Sequence, residues 1–420
     1  MRLSKQLIVE VIIVSGLIVI ALFLLNNFQK PISFNNGLGW DGADYYKAAE
    51  DIINNRTPEA RGPFVFRIGT PLVVSLLFPD NPSYGFKIVN ISASVLSLFA
   101  LWIFLYLTVK SKILRLLLFI SYLTYWQSPL RLTFFYPYHT DPLAVFFLFL
   151  ALIFAYQFYK TKRNLFFYLL VCGTAIGVIF REIVLIPSII LLVLNLKISF
   201  NQSKFKVYLN NKFLIIPIVV GLFEIIIISL LVKSTNDYSF FNSAVGWIYR
   251  KSILMYIHSL FFAFGFLLVI PIYFYKSSLA FFKEEKFFSV MLVFGFVLSY
   301  AGGSDTERLA FWFAPAVFVL VARVIQSNIE LIKNIFFIIL IILLQLISNR
   351  AFFATPDYND TLVSKFPFLT PIADSFPFFD MMAVHGNQRI ILISAVQYFL
   401  MALILIFILF FIEKRVTKRL

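Results

Sequence analysis

Two aspartates three residues apart, Asp41 and Asp44, lie in the stretch Gly39-Trp40-Asp41-Gly42-Ala43-Asp44-Tyr45-Tyr46. On a helix that spacing puts both carboxylates on neighbouring faces, where they can take a proton from a hydroxyl, share one, or bind a cation. The same positions also suit a helix start, with Asp41 as N-cap and Asp44 against the helix dipole. Four further motifs carry charge. Arg67 opens Arg67-Ile68-Gly69-Thr70-Pro71, and His139 and Asp141 stand in Tyr136-Pro137-Tyr138-His139-Thr140-Asp141-Pro142. Arg181-Glu182 interrupts an apolar run, and Asp305-Thr306-Glu307-Arg308 follows another. Arginines suit a phosphate because the guanidinium donates paired N–H groups to its oxygens. Each motif also has a plain structural use. Arg67 can snorkel to headgroups, Asp141 before Pro142 can start a helix, Arg181 and Glu182 can pair with each other, and Asp305 to Arg308 can form a solvated tip. A His-x-Asp pair is weak grounds for a metal, and His258 and His385 offer no spacing that completes a site.

The elements that must position these residues are set by lipid. The chain of 420 residues is 60% hydrophobic and 14% charged, too apolar for a soluble domain of this length. Apolar runs near the roughly 20 residues needed to cross a bilayer recur throughout, so the expected fold is an all-α polytopic membrane protein in one transmembrane domain over 1–420. Threading gives about 12 spans, with ten as the alternative count. Arg2 and Lys5 precede the first run, Leu7 to Leu25, which lacks a small-residue cleavage site and reads as an uncleaved span.

The formal charge of +15 lies in short loops rather than on one basic face, which argues against a nucleic-acid surface and for a topology signal. With Arg2 and Lys5 inside, Lys110, Lys112 and Arg115, then Lys160, Lys162 and Arg163, then Lys197 to Lys212, then Lys276 to Lys286, and finally Lys414 to Arg419 all fall inside. Both termini are therefore expected in the cytoplasm, and every acidic motif above outside. Two outer loops are long, 26–85 and 348–388. In the first, Tyr45, Ala48, Ala49, Ile52 and Ile53 recur at spacings of three and four, the pattern of an interfacial amphipathic helix. Phe64 to Phe78, broken by Pro71, is expected to be a second one. Glu224 is the one acid expected deep within a span, available for proton coupling or for a hydrogen bond in the bundle. Cys172, the sole cysteine, cannot form an internal disulfide.

Taken together, these motifs resemble the GT-C superfamily of membrane glycosyltransferases. The resemblance covers most of the chain and rests above all on a first span followed by a long outer loop, with Trp40-Asp41-Gly42-Ala43-Asp44-Tyr45-Tyr46 and Arg67-Ile68-Gly69-Thr70-Pro71. It implies a polyprenyl-phosphate-linked sugar donor, a hydroxyl acceptor and an inverting transfer on the outer face of the cell (inner) membrane. Asp41 or Asp44 would act as base, and Arg181, Arg308 or Arg67 would meet the departing phosphate. Tyr45, His139, Asp141, Glu182, Asp305 and Glu307 would support the substrates. No cofactor is required by this reading, although the two aspartates leave a divalent metal open. The short basic tail departs from the oligosaccharyltransferases of the superfamily, which carry a large soluble C-terminal domain. Two rival expectations remain: a polysaccharide polymerase or ligase, which would lean on Arg and His of later loops, and a lipid-linked sugar flippase or transporter, which would line its spans with charge.

Overall fold

A computed structural model describes residues 5–417, except 126, 202, 203, 210, 329, 350, 352, 353, 356 and 358–387. Most of the last expected outer loop, 348–388, lies outside the described residues, as does His385. The chain is overwhelmingly helical. Among the described residues six helices are long and apolar enough to cross a membrane: Leu7–Phe28, Pro82–Thr108, Asp141–Thr161, Lys212–Leu231, Ile253–Tyr273 and Ala395–Lys414. Shorter apolar helices cover Asn164–Val178, Glu182–Asn195, Lys286–Ala301, Ala314–Ser327 and Ile335–Ser348.

In chain order the helices are α1 (Lys5–Phe28), α2 (Gly42–Ile53), α3 (Gly69–Leu77), α4 (Pro82–Thr108), α5 (Lys112–Thr124), α6 (Pro129–Phe135), α7 (Asp141–Thr161), α8 (Asn164–Val178), α9 (Ile186–Asn195) and α10 (Ile216–Leu231). They continue as α11 (Phe240–Arg250), α12 (Ile253–Phe264), α13 (Val269–Tyr273), α14 (Tyr275–Glu284), α15 (Lys286–Ala301), α16 (Thr306–Phe311), α17 (Ala314–Ser327), α18 (Glu330–Lys333), α19 (Ile335–Ser348) and α20 (Gln388–Thr417). The all-α expectation holds, with two short strand pairs among the described residues. Leu196–Asn201 and Lys204–Leu209 pair as an antiparallel hairpin, and Glu59–Ala60 pairs in parallel with Lys233–Ser234.

Small residues set the closest packing. α4 buries Ala93, Ser94, Ser97 and Ala100, and α7 buries Ala144, Ala151 and Ala155, so two helices of a lipid-soluble bundle can approach closely. Asn90 of α4 donates to the carbonyls of Pro137 (2.7 Å) and His139 (2.6 Å), which fixes the turn leading into α7. A continuous apolar core then runs from α1 through α4, α5, α7 and α17 to α20.

Three expected elements differ in detail. The helix expected over Phe64 to Phe78 is broken at Arg67-Ile68 into a 3₁₀ turn, Phe64–Phe66, and α3, with Pro71 harmless in the first turn of α3. The apolar stretch from Leu309 to Val324, long enough in sequence for one span, is divided at Trp312-Phe313 into α16 and α17. Glu224 does sit within α10, but it is not alone in depth: Glu10, read as part of an apolar run, is fully buried in α1 and accepts from Arg115 at 2.5 and 3.0 Å. Arg115 also donates to the carbonyls of Val109 and Lys110 at the end of α4, so the buried Glu10–Arg115 pair is held by hydrogen bonds on both sides.

Candidate functional site

The amphipathic helix expected around Asp41 forms as α2. Its buried face of Tyr45, Ala48 and Ala49 packs on Val74 of α3 and on Phe86 and Val89 of α4, with Phe64 and Tyr138 at the edges. Asp41 stands at the N-cap position, yet its side chain makes no capping hydrogen bond. The capping work is done from elsewhere, since the Gly42 N–H donates to the Tyr136 hydroxyl at 2.5 Å. A methyl group on Gly42 would stand 2.6 Å from Tyr138 Cβ, so only glycine lets α2 start this close to that turn. The Asp41 carboxyl is thus partly buried and uncommitted to the helix. Burial raises its pKa to about 6; Arg308, Arg67 and Arg61 pull it down, while Asp305 pushes it up.

Asp44 has a different environment. Arg61 wraps over it, donating from its backbone N–H to Oδ1 (3.1 Å) and from Nε (3.0 Å) and Nη2 (2.6 Å) to Oδ2. Arg61 was not among the expected site residues. The turn-forming Gly62-Pro63 that follows it in sequence is the one signal that the chain folds back there. The strap is anchored in turn, since the Gly62 N–H donates to Asn236 Oδ1 (2.7 Å) and Ser234 Oγ (3.2 Å).

The remaining charged motifs meet beside α2. Arg181 and Glu182 do not pair with each other, contrary to the structural use considered for them. Arg181 closes on Asp141 and lies over the Trp312 ring at 4.5 Å, whereas Glu182 accepts from Arg67 at 3.3 Å. The reason is local geometry: Arg181 is extended at φ −169°, ψ 141°, between α8 and the 3₁₀ turn that Glu182 begins, so the two side chains leave in different directions. Arg308 reaches Asp141 at 3.3 Å and closes on Asp305. Asp141 therefore bridges two arginines drawn from distant parts of the chain. Burial disfavours the Arg67 charge, but Glu182, Tyr45 and Asp141 outweigh it and hold the guanidinium protonated; Arg308 is held likewise by Asp305, Asp141 and Asp41. A backbone bond from the Gly69 N–H to the Ile179 carbonyl (3.0 Å) docks the Arg67 segment alongside Arg181. Gly69 is required there, because an added Cβ would meet Phe180 Cδ1 at 2.5 Å.

His139 is buried, and burial lowers its pKa to about 3 despite Asp141, so the imidazole is neutral; its Nε2 lies 3.0 Å from Thr133 Oγ1. Among the described residues no three His, Cys, Asp or Glu side chains come together as a candidate metal site. Glu307 is fully buried. Nearby, Lys251, between α11 and α12, donates to the carbonyls of Ser299 (3.0 Å) and Tyr300 (2.8 Å) at the end of α15. Burial lowers its pKa to about 8, with Glu307 and Asp305 opposing. Lys251 also went unread in the sequence, being one lysine in an undistinguished loop.

The sequence-expected residues Asp41, Tyr45, Arg67, Asp141, Arg181, Glu182, Asp305 and Arg308 therefore form one electrostatic cluster. No protein-family model matches this chain, and no curated protein matches it. Its chemistry is thus argued from the cluster itself. A carboxyl whose proton leaves near neutrality, next to three arginines, can accept a proton from a hydroxyl while the arginines hold an anion.

Proposed function

We propose that the chain is a GT-C-like membrane glycosyltransferase with about 12 spans, cytoplasmic termini and its site on the non-cytoplasmic face. The sugar comes from a polyprenyl-phosphate donor and goes to a hydroxyl of a lipid, glycan or protein acceptor. The observation that carries this reading is Asp41: a partly buried carboxyl with a raised pKa that does not cap its own helix and faces Arg308 and Arg67.

In the proposed step the acceptor oxygen attacks the anomeric carbon from the side opposite the phosphate. The new carbon–oxygen bond forms as the carbon–phosphate-oxygen bond breaks, and the configuration inverts. Asp41 takes the acceptor proton, and the electron pair of the broken bond leaves on polyprenyl phosphate, whose charge the arginines balance. Asp44, tied to Arg61, positions the start of α2 rather than exchanging protons. Alternation of the apolar helices supports the placement of termini: Asp141 begins α7 at the cluster, while Lys160, near the other end of α7, meets Glu285 at 3.8 Å, which also accepts from Arg323 near the end of α17. The test is direct. Membranes containing Asp41→Asn, Asp44→Asn or the unaltered chain are supplied with polyprenyl-phosphate sugars and an acceptor extract. Loss of transfer in Asp41→Asn with retained folding is expected, and undiminished transfer would sink the proposal.

A further inference from the structure

Three arginines meet in the cluster, but they are not held alike. Arg181 is closed on Asp141 and stacked on Trp312, and Arg308 is shared between Asp141 and Asp305. Arg67 has one ion-pair contact, to Glu182 at 3.3 Å, where Arg308 has two; the buried Nε of each has no hydrogen-bond partner among the described residues. Glu182 is also the least enclosed of the acids: its side chain is 42% exposed, against 5% for Asp141 and 20% for Asp305. An exposed carboxylate that leaves its partner regains hydration, whereas breaking a buried pair strands a charge. Charge balance points the same way. Arg67, Arg181 and Arg308 are already matched one for one by Glu182, Asp141 and Asp305, without counting Asp41, so an incoming anion enters most readily by displacing one acid.

We infer that Glu182 is a placeholder on Arg67, and that the phosphate of a polyprenyl phosphate takes its position while Glu182 swings into solvent. The inference rests on the glycosyltransferase reading for its ligand class and assigns to Arg67, among three arginines, the first grip on the phosphate. Glu182 then re-pairs with Arg67 and assists release of the product.

Binding of farnesyl phosphate to the full chain in detergent tests this, with farnesol and inorganic phosphate as the two control ligands. Glu182→Gln removes the competitor and is expected to tighten farnesyl phosphate binding about tenfold, while Arg67→Gln weakens it at least about tenfold. Arg67→Lys, which keeps the charge, is expected to recover part of the affinity and to show that a loss in Arg67→Gln is not misfolding. Farnesol binding should be the same in all variants. Unchanged or weaker farnesyl phosphate binding in Glu182→Gln overturns the inference, as does full binding in Arg67→Gln. Inorganic phosphate binding as tightly as farnesyl phosphate overturns the lipid-linked ligand. The outcome is separable from the enzymatic reading: sugar transfer surviving in Asp41→Asn would defeat that reading while leaving the farnesyl phosphate pattern intact. An Asp41-dependent transferase whose farnesyl phosphate affinity ignores Glu182 would defeat the placeholder alone.

Discussion

The Asp141 carboxylate accepts from Arg181 across 40 residues of sequence and also faces Arg308 at 3.3 Å, so one acid of α7 ties the segment after α8 and the short helix α16 to itself. All three side chains are largely enclosed, and a buried pair that loses one partner leaves an uncompensated charge. Asp141→Asn is therefore expected to destabilise the protein by about 3–5 kcal/mol, read as a marked fall in the detergent melting temperature. Arg181→Gln combined with Asp141→Asn should cost less than the sum of the two single changes. Strict additivity would count against the bridge.

Proton uptake by Asp41 sets a pH dependence. The folded-state pKa of about 6 lies above the ordinary aspartate value of 3.8, so the folded chain binds this proton more tightly than the unfolded one. The stabilising effect of protonation is complete below about 3.8 and is lost as pH rises through about 6. Asp41→Asn should consequently melt at a higher temperature than the unaltered chain at pH 7.5, with the gap closing near pH 4. In the same pH series, transfer by the unaltered chain should climb with pH through a midpoint of about 6 to a plateau, because the base must be ionised to act.

A catalytic base and a positioning acid respond differently to substitution. Asp41→Asn is expected to lower kcat by about 10² to 10⁴. Asp44→Asn and Arg61→Gln should each have a smaller effect, and the double variant should be no worse than the more damaging single change, since both break one strap. Steady-state kinetics on the four proteins distinguishes these patterns, and equal losses at Asp41 and Asp44 would argue for two ligands of a shared cation instead.

Gly69→Ala offers a purely steric probe. Its methyl group would press on Phe180 and part the Gly69 to Ile179 contact, moving Arg67 away from Arg181 without altering any charge. Weaker farnesyl phosphate binding is the expected result, with a lower melting temperature from an overpacking cost of about 1–3 kcal/mol.

Glu10 and Arg115 give a stability test remote from the cluster. Arg115→Leu leaves a buried carboxylate in α1 and should cost about 3–5 kcal/mol, whereas Glu10→Leu together with Arg115→Leu should recover much of that loss. Thermal unfolding of the two variants reads the difference.

The sequence alone was most informative where periodicity and charge act along the chain. Apolar spacing around Tyr45 and Ala49 located α2, and the acidic and arginine motifs at span ends are the ones that meet. Partner choice was not legible, because neighbours in sequence need not be neighbours in space: Arg181 turns from Glu182 toward Asp141, and Arg67 takes Glu182. Arg61, Glu10 and Lys251 escaped notice for a related reason. Each is an ordinary residue in its own segment and gains meaning only from a carboxylate or helix end contributed by a distant one.

The double hold on Asp141 also bears on how the protein is made. During stepwise insertion the acid emerges with the start of α7 well before Arg181, and earlier still than Arg308. A nascent chain halted after α7 carries an unneutralised carboxylate at a helix end, and that end acquires its permanent counter-ions only as α8 and later α16 arrive. The cluster is thus a late product of biogenesis, and a chain that stops short of α16 would carry Asp41 and Asp44 without the electrostatic surroundings that give Asp41 its character.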